Sequence, residues 1–481
     1  MSCDCTMASS KVINPSVDKI SQTKILVIGD VMLDVTHVGH VQRISPEAPV
    51  PVLELHQVKK YLGGAGNVAK NLASLGASVT LIGSVGRDQP GKNIISLCAQ
   101  SSIQFIPIFH HGPTTVKERF TTTQQLLRVD REEKISVQEH QLVSAIQSTI
   151  AKVDAVIISD YGKGVCDNLK AVIALARKKS IPIFADPKGN SFKKYYGASY
   201  LTPNLKEFET VYGPSSNEQG LLTKAKKTVL QLSIQGVVIT RSEKGVTVCT
   251  KNNNFSIPAN AKEVFDVSGA GDTFIAFFAL CLTIGYPLSD SIAIANSAAG
   301  MVVGKRGVVS LSMAEALPLF FTGQSNKTIT LEQARMLAKC FKQLGKKIGF
   351  TNGCFDLLHS GHVFSLQYAK KHSDVLFVGI NDDGSIRMNK GPTRPILTLQ
   401  DRIPVIASLS VVDFVIPFSD RTPLKIINAI KPDILFKGSD YTEANVVGAS
   451  QVRRWGGQVS IVPLQKGKST SEIVKKIISI H

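Results

Sequence analysis

Asp272 stands in DVSGAGDTF (266–274), a glycine-rich turn that runs into an apolar stretch. Gly269, Ala270 and Gly271 would offer backbone N–H groups at the start of a helix. Such groups, with the positive end of the helix dipole, hold an anion and stabilise charge on a transferred phosphoryl group. A carboxylate inside that turn is placed to take a proton from an attacking hydroxyl. TPNLKEFE (202–209) follows a strand-like run, and Asn204 and Glu207 can present an oxygen-rich edge to Mg2+ and its waters. The plain reading of both motifs is a capped turn before a helix. YLGGAGNVAKNLASLG (61–76) opens on a glycine cluster, where Gly64 permits close approach of backbone to a polar ligand and Asn67 adds a hydrogen-bonding side chain. Gly64 to Ala69 fits a loose dinucleotide fingerprint, but the first strand lies too far upstream for that reading.

A second set of residues lies in the last third of the chain. TNGCFDLLHSGHVFSLQYAKK (351–371) reads as strand, turn and helix, with His359 and His362 three apart at the helix start. Two imidazoles there can bind nucleotide phosphates beside the helix N–H groups. A zinc site would need more ligands, and Cys354 and Asp356 are the only nearby candidates. NKGPTRP (389–395) adds Lys390 and Arg394 as phosphate-neutralising cations, and FKGSD (436–440) adds Lys437 and Asp440. KGKSTSEI (466–473) places Ser469, Thr470 and Ser471 at a helix start. GKST is not a Walker A motif, because the required first glycine would fall at Val462.

The elements that position these residues follow from hydrophobic pattern. The runs 24–30, 78–86, 155–160, 181–186 and 236–240 read as buried strands separated by helix-like segments. The stretch 102–131 has little helical period and suggests a small antiparallel flap beside the main sheet. A polar boundary falls near 322–329. A helix should follow it, with a Thr330/Gln333 capping box, one face formed by Leu331, Ala334, Leu337, Phe341 and Leu344, and a stop at Gly345. Strands at 347–353, 375–381, 413–418, 433–438 and 458–464 then make a compact Rossmann-like domain. The expected organisation is a polar extension 1–22, an α/β domain 23–322, a linker and connecting helix 323–345, and a second α/β domain 346–481.

The 481 residues fit two or three domains, and 43% hydrophobic with 19% charged residues argues against wholesale disorder. The net charge of +18 suits anionic ligands. Nucleic acid is disfavoured, because there is no basic run, no interleaving of aromatic and basic residues, and one Trp. Eight cysteines without a CxxC pair fit free thiols in a reducing compartment. The longest apolar run, 274–284, is too short for a bilayer, and the N-terminus has no apolar signal region, so a cytoplasmic protein is expected.

The glycine cluster, Asn204/Glu207 and GAGD, in this order and spacing, resemble the ribokinase-type sugar kinases over about residues 24–315. In that family GAGD carries the catalytic base and the anion hole, and the Asn204–Glu207 motif bears on ATP and Mg2+. The flap would be a β-lid over the sugar. GDVMLD (29–34), RISPEAPVPV (43–52), KERF (117–120), SDYGKGV (159–165) and DPKG (186–189) are similar to the heptose 7-phosphate kinase branch. The resemblance implies sugar or sugar-phosphate contacts at Asp30, Asp34, Gly64, Asn67, Lys117, Arg119, Asp186 and Lys188. Lys117 and Arg119 are two apart on a strand and so share a face. Nucleotide contacts are implied at Asn204, Leu205, Lys206, Glu207, Thr240 and Asn296, with Glu207 reaching Mg2+ through water. Val308 departs from the family, whose members often have Thr there.

Residues 346–478 are similar to the HxGH nucleotidyltransferases, which transfer a nucleotidyl group to a phosphorylated acceptor and release pyrophosphate. GCFDLLHSGH, KGPTRP, the Asp401-Arg402 pair and KGSDYT resemble the adenylyltransferase half of the bifunctional heptose enzymes. That resemblance gives His359, His362 and Lys390 catalytic roles. It assigns ATP contacts to Phe355, Lys437, Ser469 and Thr470, and a substrate contact to Arg394. Together the halves imply phosphorylation of D-glycero-β-D-manno-heptose 7-phosphate at O1, a separate phosphatase, and adenylyl transfer to heptose 1-phosphate. ADP-heptose for the lipopolysaccharide core would be the product, made by a homodimer. A fusion of the same two enzyme types acting on another sugar phosphate is the alternative.

Overall fold

The computed structural model describes residues 17–259, 268–305, 307, 309–321, 327–438, 442 and 445–463. Val308, Asp440, Ser469, Thr470 and Ser471 lie outside the described residues. The chain divides into two compact units, Pro15–Met313 and a second that begins at Ala314.

The strands of the first unit are, in chain order, β1 (Lys24–Gly29), β2 (Val31–Ile44), β3 (Pro51–Gly64), β4 (Ser78–Gly86), β5 (Gln104–His110), β6 (Val116–Thr121) and β7 (Gln125–Arg131). They continue as β8 (Ala155–Ser159), β9 (Ile183–Asp186), β10 (Tyr200–Leu201), β11 (Gly236–Thr240), β12 (Val246–Thr250) and β13 (Asn254–Ile257). Nine of them form one sheet in the order β13-β12-β11-β10-β9-β8-β1-β4-β5. The sheet is parallel from β11 to β5, and β12 and β13 add an antiparallel edge. Ile25 to Ile28 of β1 and Val156 to Ile158 of β8 have no exposed surface. Helices cover a parallel sheet on both faces, so its strands read as unbroken apolar runs. The helix Ala270–Thr283 is buried from Phe274 to Cys281, which explains why its sequence is apolar all round.

A four-stranded sheet, β3-β2-β6-β7, forms the lid. It differs from the expected flap in two ways. Gln104–His110 is not part of it but pairs with β4 at the edge of the main sheet. The lid gains instead the long β2–β3 hairpin, which the sequence reading did not find. Most of β3 is exposed on both faces, so its alternation has no buried side to reveal it. β2 then pairs in parallel with β6, placing Asp34 opposite Lys117 and Thr36 opposite Arg119.

The second unit has a five-stranded parallel sheet of β14 (Ile348–Gly353), β15 (Val375–Asn381), β16 (Phe414–Phe418), β17 (Ile434–Lys437) and β18 (Gln458–Ile461). Its order is β16-β15-β14-β17-β18, so the strand order reverses between β14 and β17. The helix Leu331–Gln343 starts with the Thr330/Gln333 capping box and ends before Gly345, whose φ is 68°. Ala334, Leu337 and Phe341 are buried, while Leu344 is exposed. Before this helix, Ile329 N–H donates to Val415 O and Val415 N–H donates to Lys327 O, at 2.9 and 2.8 Å. These bonds tie the start of the helix to the edge of the second sheet. Among the described residues, no helix is long and apolar enough to cross a membrane.

Candidate active sites

In the first unit the candidate residues gather at the carboxyl ends of the parallel strands. Asp30 follows β1, Asp160 follows β8, Asp186 ends β9, Asn204 follows β10 and Thr240 ends β11. Parallel α/β sheets bind ligands at this end. Asp272 joins them from the first turn of the helix Ala270–Thr283, whose N-cap Gly269 has φ 79°. Only glycine takes that conformation freely, and Ala270 and Gly271 follow it as the first residues of the helix.

Asp272 is 4% exposed. Asn67 Nδ2 donates to its Oδ2 and Tyr161 OH donates to its Oδ1, both at 2.8 Å. Burial pushes the carboxyl up to about 6, against these two hydrogen bonds, which hold it down. The group is therefore ionised at neutral pH, yet a far better proton acceptor than an ordinary aspartate.

Three residues expected at the substrate have structural partners. Asp30 is 1% exposed, and its carboxylate accepts the N–H groups of Tyr161, Lys163 and Val165 at 2.8, 2.9 and 3.0 Å. It fixes the 160–165 loop. Gly64 is required by the fold, because at φ 58° a Cβ would press into the Asp30 carbonyl. That carbonyl also accepts the Ala65 N–H, at 3.0 Å. Asn67 Nδ2 is engaged with Asp272.

In the lid, Arg119 Nη1 meets Asp34 Oδ1 at 2.6 Å, and Arg128 forms two bonds with Asp130. Lys117 has no carboxylate partner among the described residues, and its ammonium lies 5.4 Å from the centre of the Tyr161 ring. Burial lowers its pKa. Lys117 and Arg119 thus share a strand face as expected, but Asp34 already neutralises Arg119.

Asn204 and Glu207 form a capping box for the helix Leu205–Tyr212, with Asn204 Oδ1 accepting the Glu207 N–H at 2.8 Å. Lys188 Nζ donates to Glu207 Oε1 at 2.8 Å, which places Lys188 with this motif and not with the lid. Beside them, a cleft of about 670 Å³ is lined by Asn204, Leu205, Lys206, Thr240 and the 241–244 turn. Asn296 donates to Pro258 O at 2.8 Å. Asp186 has its pKa pushed well up, by burial first and then by the charges of Glu207 and Asp272. Excess negative charge on hard oxygen donors fits Mg2+. Among the described residues no three such side chains converge into a cage. Asp186 and Glu207 are the hard oxygen donors here that could hold such a cation.

In the second unit the site lies where the strand order reverses. His359 caps the helix Ser360–Lys371, and its ring stacks on His362 with centroids 3.9 Å apart. Phe355, at φ 47°, packs its ring 5.2 Å from His362. Burial pushes the His362 pKa down to about 4, assisted by the charges of His359 and Lys390. His362 is therefore a neutral hydrogen-bonding group at pH 7. Lys437 Nζ, at the end of β17, donates to Asn352 Oδ1 at 2.6 Å, next to the His359 turn in sequence.

Two further anchors emerge from the structure. Asp356 accepts Arg394 Nη1 at 2.7 Å and the N–H groups of Ile396 and Leu397. Burial opposes its ionisation, but these bonds win and hold its pKa below the usual carboxylate value. The Arg394 guanidinium is thus spent on Asp356, which clips the 391–398 loop to the His359 turn. Arg402, 1% exposed, donates to the carbonyls of Cys354, Asn381 and Leu397 and to Asp383.

A family profile described as pfkB family carbohydrate kinase matches residues 22–315, and one described as cytidylyltransferase-like matches residues 350–476. The bifunctional protein HldE of Stutzerimonas stutzeri is 42% identical over 467 residues, covering 96% of this chain and 99% of its own length. The chain belongs to the HldE family of bifunctional proteins. The HldE of Pasteurella multocida is likewise 42% identical, over 95% of this chain and 98% of its own. Phosphofructokinase-2 of Escherichia coli, in complex with potassium, shares the fold of the first unit at 18% identity. Its TM-score is 0.53, over 62% of this chain and 98% of that one. HldE members thus combine a ribokinase-like sugar kinase with a Rossmann-type nucleotidyltransferase, two enzyme types that use ATP.

Tyr161 carries no role in the sequence reading, where Asp356 entered only as a possible zinc ligand and Arg402 only as part of a resembling motif. SDYGKGV stood out there as a motif, but nothing in it says that its tyrosine reaches Asp272.

Proposed function

We propose that the chain makes ADP-heptose in two ATP-dependent steps that flank a separate phosphatase. In the first unit, Asp272 takes the proton from the anomeric O1 hydroxyl of D-glycero-β-D-manno-heptose 7-phosphate. The oxygen attacks the γ-phosphorus of ATP, ADP leaves, and the N–H groups of Gly269, Ala270 and Gly271 take up the developing charge. Mg2+, held through water by Glu207, neutralises phosphate charge when bound. Lys117 holds the 7-phosphate, since it has no carboxylate partner among the described residues whereas Arg119 beside it is already paired with Asp34. After the 7-phosphate is removed, the phosphate oxygen of heptose 1-phosphate attacks the α-phosphorus of ATP in the second unit. Pyrophosphate leaves as ADP-heptose forms. His359 and His362 bind the triphosphate and Lys390 offsets charge on the α-phosphoryl group, so positioning carries the step. The product feeds lipopolysaccharide core assembly.

The carrying observation is one chain, matched to HldE along nearly its whole length, in which a buried Asp272 and a stacked histidine pair each sit at a helix start. Purified protein with Mg-ATP should release ADP with heptose 7-phosphate, and pyrophosphate with heptose 1-phosphate. Turnover of another sugar phosphate and of neither heptose would sink the substrate assignment. We also infer a cytoplasmic homodimer joined through the lid. Val41, Leu55, Val58 and Leu127 are exposed apolar residues on lid strands, which supports that reading.

A further inference from the structure

We propose that Tyr161 is a positioning residue of the kinase site. Its hydroxyl orients the Asp272 carboxylate and its ring seats Lys117, so that base alignment and anion capture by the lid run through one side chain. This rests on the kinase reading of the first unit.

Asp30 binds the Tyr161 N–H and two more N–H groups of the same loop, so the tyrosine starts from a fixed backbone. Its hydroxyl then takes Asp272 Oδ1 at 2.8 Å, while Asn67 takes Oδ2. A carboxylate held on both oxygens has one plane available to it and keeps lone pairs for a substrate hydroxyl. The phenol cannot compete for the proton, since burial and the Asp272 charge raise its pKa well above that of a free tyrosine. Lys117 Nζ lies over the face of the same ring, 5.4 Å from its centre. An ammonium over an aromatic face is held there while its N–H groups stay free for an anion.

The charges facing Asp272 come from several elements. Asp34 of β2 raises its pKa and Lys117 of β6 lowers it, while Asn67 and Tyr161 lower it by hydrogen bonding. Asp186 of β9 is also electrostatically coupled to it. Removing the Tyr161 hydroxyl therefore moves the pKa upward, and the base is lost at a higher pH.

The test compares Tyr161→Phe and Tyr161→Leu in the full-length chain with the wild type, by pH-dependent kinase kinetics. Sugar-phosphate binding is followed calorimetrically in the absence of ATP. In Y161F the ring stays, so KM and the calorimetric affinity should remain within about twofold, while kcat falls roughly five- to tenfold. The acidic limb of kcat/KM should move to higher pH. In Y161L the Lys117 seat is lost as well, and sugar-phosphate affinity should fall. An unchanged kcat and acidic limb in Y161F would overturn the proposal. So would a Y161F defect confined to binding, or Y161L binding as tightly as wild type. If the wild type turns over a sugar phosphate other than heptose 7-phosphate, the same comparison runs on that substrate. Failure of the substrate assignment is thereby kept apart from failure of this one.

Discussion

Asp272 and His362 show opposite uses of burial. Burial raises the carboxyl to about 6 and lowers the imidazole to about 4. In both cases the charged form is disfavoured. For Asp272 the active form is the anion, so kinase kcat/KM should be flat above pH 7 and fall as pH drops through about 6. A pH–rate profile of the kinase reaction checks this, and Asp272→Asn should lower the rate by about 10²–10⁴-fold at pH 7.5. For His362 the expectation is a neutral ring at pH 7. NMR titration should find its midpoint near 4, and the midpoint should move up in His359→Ala, because the His359 charge helps to depress it. The types and spacing of GAGD and of the two histidines were legible because they sit in short, contiguous motifs. Tyr161 was not, because its partner Asp272 lies 111 residues away. The backbone partners of Asp30 were hidden for a related reason. A carboxylate looks the same in sequence whether it meets a sugar or three backbone N–H groups.

Elements place these residues by means that composition conceals. Buried parallel strands such as Ala155–Ser159 were plain, since sheets covered on both faces read as apolar runs. The lid hairpin Val31–Gly64 was not, since much of it is open to solvent on both faces. Gly64 joins that hairpin to the helix behind it at φ 58°. Gly64→Ala meets the Asp30 carbonyl and should destabilise the first unit by about 1–3 kcal/mol, seen as a lower thermal midpoint. In the second unit, Arg402 pins three carbonyls and Asp383 around the nucleotidyltransferase site. Arg402→Met strands those groups without their donor. It should cost about 3–5 kcal/mol in that unit's unfolding free energy by urea denaturation. An unaltered urea midpoint would show that the carbonyls are satisfied in another way.

At the scale of the whole molecule, the proposed function sets the +18 charge against small anionic substrates. In the proposed function Lys117 takes the sugar phosphate, and Lys390 and the histidine pair take the nucleotide. If the lid joins two copies, Leu55→Asp with Leu127→Asp should halve the mass measured by sedimentation equilibrium. The central claim is that one chain carries two chemically separate sites. The most direct measurement assays Asp272→Asn and His362→Ala side by side, reading ADP release with heptose 7-phosphate and pyrophosphate release with heptose 1-phosphate. D272N should lose the first activity and keep the second at wild-type rate, and H362A should do the reverse. Loss of both activities in either variant, or retention of the kinase activity in D272N, would contradict the account.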